Sequence, residues 1–298
     1  MDLLRFVAPL VVASGLLAGT GCGTPPPVSR MPTARAATDR VHATQDCGLG
    51  VHATAKIDQF NKRDGRMRGD LLMFAVWPDR LRLDIVSPFG VTLWTLASDG
   101  KKFSLNDLRA RRFSFGPASE CNIARIATVP MPGHVLVSLL RGEVPVLKHD
   151  EADESIEWSG KGYYVVTIKG NNGSVEKVHV APHPDDFGRP WNEQRLRVLD
   201  VVVEQQGITL YHAELADHKP AAMSVPQIDP AMIDPPIPTS GPQCNAELPR
   251  RIHVEVPGQD QDVLFRYEDV KWNPPLPDGV FSQNIPGGVE VVRITCDK

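Results

Sequence analysis

From Val51 to Gly116 apolar and polar positions alternate with a period of two, the spacing of strands with one greasy and one wet face. Val51, Ala53, Ala55 and Ile57 share one side of the first run. Leu81, Leu83 and Ile85 share one side of another, with Arg80, Arg82 and Asp84 opposite. Ser98-Asp99-Gly100 marks a hairpin turn between two further strands, and RRFSFG (111–116) adds a short one. The pattern predicts consecutive antiparallel strands over residues 50–116.

The period then lengthens. Ser119 is placed to cap a helix over 119–129, with Ile123 and Ile126 at helical spacing. Val135, Leu136, Leu139 and Leu140 form a stripe on a second short helix, which Gly142 can stop. Period-two segments return after residue 154, with a tight turn at Asn171-Asn172-Gly173 and a hairpin around Gln206-Gly207. Residues 219–244 hold Pro220, Pro226, Pro230, Pro235, Pro236, Pro238 and Pro242. A strand ladder does not tolerate that density, so the stretch reads as a long surface loop. Three closing strands look like a meander. About a dozen strands against two or three helices give a mainly β (α+β) protein, built as a curled antiparallel sheet or open barrel.

The start of the chain changes the compartment. Phe6 to Leu17 is apolar behind Arg5, too short for a bilayer span of roughly 20 residues, and small residues lead to Cys22. This resembles a bacterial lipoprotein signal, with Gly19 standing where such signals usually carry a larger apolar residue. The resemblance implies removal of residues 1–21, a lipid on the Cys22 thiol and, with Gly23 following, an outer-membrane address facing the periplasm. Residues 22–44, with four prolines and no apolar periodicity, read as a flexible tether. Residues 45–298 form the folded domain. Four further cysteines, Cys47, Cys121, Cys244 and Cys296, suit two disulfides in an exported chain. Three pairings are open; a closing meander disfavours Cys244 with Cys296. A net charge of −4 without any basic tract leaves no case for nucleic acid.

The order of elements carries a family resemblance. RLRLDIVSPFG (80–90) resembles a strand ending in a Ser-Pro-apolar-Gly turn. LVSLLRGEVPVL (136–147) resembles a helix closing on glycine. WNPPLPDGVFSQNIPGGVEVVRI (272–294) resembles a C-terminal Phe, Pro-Gly turn and last strand. Together these are similar to the Lol lipoprotein carrier and receptor family, over roughly residues 45–150 and 262–296. The resemblance implies an unclosed half-barrel with two or three short helices as a lid. It also implies a protein that shelters acyl chains of lipoproteins or lipids and helps place them in a membrane, with a periplasmic carrier as a possible partner.

An open barrel capped by helices can hold an apolar ligand inside. Residues placed to line it are Leu71, Met73, Leu81, Leu83, Ile85, Trp94, Phe103, Leu105, Val135, Leu136, Leu139 and Leu140, of which strand parity would turn about half inward. The competing reading is a structural or protein-interaction lipoprotein with the same fold, a dry core and no ligand. No nucleophile elbow, Walker loop, HExxH or dinucleotide glycine pattern occurs, so neither an enzyme nor a cofactor or metal is expected. His212, Glu214 and His218 lie on one side of a strand, but their span of about 20 Å is too long for one metal, and they read as a solvated face. His183, Asp185 and Asp186 read as a polar turn. Arg66 and Arg68 read as exposed basic side chains, with lid-holding as the alternative.

Overall fold

The computed structural model describes residues 23–62, 65–87, 89–119, 121–123, 131–227 and 235–296. Its strands are β1 (Gly50–Asn61), β2 (Gly65–Val76), β3 (Arg80–Val86), β4 (Thr92–Ser98), β5 (Lys102–Asp107), β6 (Arg112–Pro117), β7 (Glu154–Trp158), β8 (Tyr164–Lys169), β9 (Ser174–Pro182), β10 (Leu196–Gln205), β11 (Ile208–Pro220), β12 (Ala222–Met223), β13 (Glu247–Val256), β14 (Gln261–Trp272) and β15 (Glu290–Arg293). They form one open, curved sheet in the order β15-β6-β5-β4-β3-β2-β1-β14-β13-β11-β10-β9-β8-β7, with β12 beside β14. The sheet does not close: β15 and β7 are its two edges. The curled, open antiparallel sheet expected from the alternation is present, and residues 151–251, outside the family resemblance, extend the same sheet.

Register explains why the alternation is so clear. Across β2, β3, β4 and β5, Leu71 pairs with Ile85 and Met73 with Leu83, while Leu83 faces Leu96 and Leu96 faces Leu105. The same face continues through Val51, Ala53, Ala55 and Ile57 to Trp272, Val270, Tyr267 and Phe265. It then runs through Val254, Ala213, Val201, Val178 and Val166 to β8. A period-two chain turns this whole set to one side, and the curl wraps it into one core.

Two α-helices sit on that inner face. The first, α1 (Ala34–Gln45), is capped by the Thr33 hydroxyl, which accepts from the Ala36 N–H at 3.0 Å. It corrects the reading of residues 22–44 as a flexible tether. Ala34, Ala37, Thr38, Val41 and Gln45 form a buried stripe against the β7–β10 half of the sheet. Because alanine and threonine carry that stripe, its hydrophobic signal is weak and the prolines before it dominate the composition. Upstream, the Thr24 N–H donates to the Gly160 carbonyl and the Val28 N–H to that of Phe187, so the proline segment also lies on the domain. The second helix, α2 (Gly133–Leu140), falls where the apolar stripe put it. Gly142, at φ +76°, ends it, and a Cβ there would meet Pro249 at 2.8 Å. Of the helix expected over 119–129, residues 121–123 are helical; Glu120 and residues 124–130 lie outside the described residues.

The closing meander is also corrected. β13 and β14 are neighbours in the middle of the sheet, but the chain then crosses the outer face and β15 pairs in parallel with β6 at the far edge. Gln283 straps this crossing down, its Nε2 donating to the Thr95 carbonyl at 3.0 Å and the Ser104 carbonyl at 3.1 Å. The disulfides are Cys47–Cys244 and Cys121–Cys296. The first pins the end of α1 beside β13, and the second holds the segment after β15. The proline-rich loop starts later than expected, since β11 runs to Pro220 and β12 pairs with β14; residues 228–234 lie outside the described residues.

Candidate functional site: the inner face beneath α2

α2 reads GHVLVSLL, and all of Val135, Leu136, Val137, Leu139 and Leu140 are buried while His134 is exposed. A helix with so broad an apolar face has to bury it against other apolar groups. α2 packs on β2 and β3, whose inward residues are Leu71, Met73, Leu81, Leu83 and Ile85. The twelve residues expected to line a cavity therefore converge on the inner side of β2–β5 and on α2. Ten of them are buried, and Trp94 and Leu105 are partly buried at the β4–β5 end. Parity turns all eight strand residues of the set to one face rather than half of them, because each comes from the apolar side of its own strand.

Polar attachments of α2 gather at its C-terminal end. The Tyr267 hydroxyl donates to the Leu140 carbonyl at 2.9 Å. The buried Arg141 guanidinium donates through Nε and Nη2 to the Gly48 carbonyl at 3.0 and 2.6 Å, and its Nη2 lies 2.9 Å from the Glu143 carboxylate. Burial pushes the Glu143 carboxyl up and the Arg141 guanidinium down, and each charge opposes the shift of the other. The N-terminal end, at Pro132, has no side-chain cap. The helix is thus fixed by hydrogen bonds at one end and by apolar contact along its length. Arg66 and Arg68 take no part: both bond the Asp58 carboxylate on β1, at 2.6 and 3.0 Å, in the open.

The residues beneath α2 are closely packed among the described residues. A cavity of about 40 Å³ lies at the start of α2, between Gly133, His134, Ile123 and the β4 end, room for about one water. Roomier grooves lie elsewhere. One of about 630 Å³ runs between β5–β6 and the C-terminal crossing, lined by Phe113, Phe115, Phe281 and Ile285; another of about 790 Å³ lies beside the end of β11. Of the twelve expected residues, only Phe103 borders any of these, at the first groove.

No family model matches the sequence, and no curated protein matches it. The fold is similar to solved structures. A putative outer membrane lipoprotein-sorting protein domain from Vibrio parahaemolyticus superposes with a TM-score of 0.49 at 12% identity, over 84% of this chain and 95% of that one. A LolA superfamily protein from Nitrosomonas europaea gives 0.46 at 11%, over 84% and 98%. A DUF1329 family protein from Desulfovibrio piger gives 0.48 at 10%, over 84% and 97%. At these identities the reading of the site rests on the chain's own geometry.

Away from α2, two further acids are buried: Glu176, which the sequence did not single out, and Asp186, read there as part of a polar turn. Glu176 on β9 shares the inner face with Val178 and Val180. Its Oε2 accepts from the Leu147 N–H at 2.9 Å, and Oε1 has no partner among the described residues. Burial raises its pKa to about 7 against that hydrogen bond and the nearby His149. The parity of SVEKVHV already puts a glutamate in line with two inward valines, so the signal was there. Asp186, within the polar turn, is buried, and burial alone would raise its pKa. Hydrogen bonds from the Arg195 side chain and N–H, with the charge of Arg189, instead hold it at about 2. It fastens the 183–195 loop to the sheet.

Proposed function

We propose that the protein shelters one acyl chain of a lipoprotein or lipid on the inner face of the sheet, in the place α2 occupies in the closed state. The observation that carries this is a helix with five buried apolar residues whose side-chain attachments, among the described residues, gather at its C-terminal end. Swinging about the Arg141–Tyr267 end would uncover Leu71, Met73, Leu83 and Ile85 to an incoming chain. Sheltering a chain of about 16 carbons gains on the order of 12 kcal/mol relative to water, at ~0.8 kcal/mol per methylene, and close to nothing relative to a bilayer. Exchange between membrane and protein then needs no energy source. Lipid on Cys22 would hold the domain at the outer membrane facing the periplasm. Incorporation of labelled palmitate in the bacterial host, abolished by Cys22→Ser, tests that anchor; equal labelling of the variant refutes it.

The ligand reading is tested by loosening the lid. Leu136→Ala removes buried packing worth about 2–4 kcal/mol from the closed state. If an acyl chain must displace α2, raising the open fraction tightens apparent binding of a fluorescent fatty acid by tenfold or more. If α2 never moves, the variant only unfolds more easily and binds no better.

Burial of ten of the twelve lining residues supports the second reading, an anchored interaction protein with no ligand. Absence of acyl binding by both the parent and Leu136→Ala would establish it over the first.

A further inference from the structure

The outer face of β10, β11, β13 and β14 carries two groups of side chains that the acyl reading does not use. Cross-strand register builds them: Asp200 faces Glu214, His212 faces Glu255, Glu214 faces His253, and Glu255 faces Asp262. One donor atom each from Asp200, His212 and Glu214 lies within 4.8 Å of the others; the same holds for His253, Glu255 and Asp262. Donors around a tetrahedral ion with bonds of about 2.1 Å sit roughly 3.4 Å apart, so modest rotamer changes would close either group on a metal.

The imidazoles are oriented as metal ligands are. His212 turns Nε2 to Asp200, at 2.7 Å, and Nδ1 to Glu255, at 3.5 Å. His253 turns Nε2 to Asp262, at 3.0 Å, and Nδ1 to Glu214, at 3.7 Å. Each histidine thus faces a carboxylate of its own group with one nitrogen and a carboxylate of the other group with the second. A ring N–H given to a carboxylate fixes the tautomer and raises the basicity of the nitrogen left for a metal. The two groups support each other in this way. Charge points the same direction. Among the described residues, four carboxylates meet one paired guanidinium, Arg251 at 3.7 Å from Glu214, and a third imidazole, His179 at 3.5 Å from Asp200, while Arg66 attracts Asp262 from farther off. A divalent cation would offset this surplus of carboxylates. His218, which the sequence grouped with this strand, is apart: burial, helped by the charge of Arg197, lowers its pKa to about 4.

We propose that these two groups are sites for divalent transition metals of the Zn²⁺ class, with up to two ions per chain. Mixed imidazole and carboxylate donors favour Zn²⁺, Cu²⁺ or Ni²⁺ over Mg²⁺ or Ca²⁺, which take oxygen alone. Three protein donors leave a fourth position for water or a partner's side chain.

Calorimetric titration of the purified chain with ZnCl₂ tests this, alongside Co²⁺ absorption in the visible as a direct report of coordination. Saturable binding of up to two equivalents is expected, undisturbed by millimolar Mg²⁺. His212→Ala and His253→Ala should each remove one equivalent, and the double variant both. Asp200→Asn, which keeps shape and removes charge, should weaken the first site at least tenfold. Circular dichroism of each variant confirms that the sheet is intact. No saturable binding, equal displacement by Mg²⁺, or unchanged Zn²⁺ binding by the folded double variant would overturn the proposal.

Discussion

Replacing Cys47 and Cys244 by serine together is expected to lower the unfolding free energy by about 5 kcal/mol, enough to expose the protein to unfolding at physiological temperature. The two residues are 197 positions apart, and closing a loop of that length removes on the order of 5 kcal/mol of chain entropy from the unfolded ensemble. Global unfolding must feel the loss, because this bridge joins α1 to the middle of the sheet. Around it the Asn273 side chain donates to the Cys47 and Pro242 carbonyls and accepts from the Gly50 N–H, and the Trp272 indole donates to the Ala246 carbonyl. These contacts tie the bridge to the end of β14, in the middle of the sheet. The Cys121–Cys296 bridge, with a separation of 175, closes a loop of similar length but holds an edge strand that can leave by itself. Its removal should expose residues 289–296 to proteolysis and amide exchange while moving the global denaturation midpoint less. Equal shifts for the two pairs, or a loss below about 1 kcal/mol for the first, would contradict this assignment of roles.

Glu176→Gln is expected to stabilise the protein in mild alkali and not in acid. The native carboxyl titrates near 7 against an ordinary 4.5, so the folded state binds the proton more tightly than the unfolded chain. Stability of the parent therefore falls as pH rises between those values and stays low above them. The amide keeps the acceptor for the Leu147 N–H and carries no charge. The gain over the parent should be near zero at pH 4 and on the order of 3 kcal/mol at pH 8, the cost of ionising in place a carboxyl raised from 4.5 to about 7. Urea denaturation at the two pH values measures the difference directly. A gain that does not depend on pH would mean that Glu176 is not ionising in its buried place.

Much of the fold was legible because strand alternation is a local property. Leu81, Leu83 and Ile85 declare an inner face whatever they pack against, and Gly142 ends α2 through its own backbone freedom. The parts that were not legible depend on partners distant in sequence. α1 has a stripe of alanine and threonine, unremarkable until the β7–β10 half of the sheet is set against it. β15 reads as the next strand of a meander, yet it pairs with β6 because the crossing is strapped by Gln283 and its end is held to Cys121. Along β11 alone the histidines and acids lack the reach to share a metal, and the missing donors arrive from β10, β13 and β14.

By itself, the order of residues determined an open antiparallel sheet with one apolar face, a short greasy helix to cover it, and two disulfides' worth of cysteine. The period of side chains along a backbone is set by bonds between neighbours, and no long-range contact is needed to read it. Tertiary structure alone decided which cysteines meet, that α2 packs on β2 and β3, and that acids and imidazoles from four strands share one patch of the outer face. Those outcomes are distances between residues far apart in the chain, and they exist only once the sheet has chosen its strand order and curl.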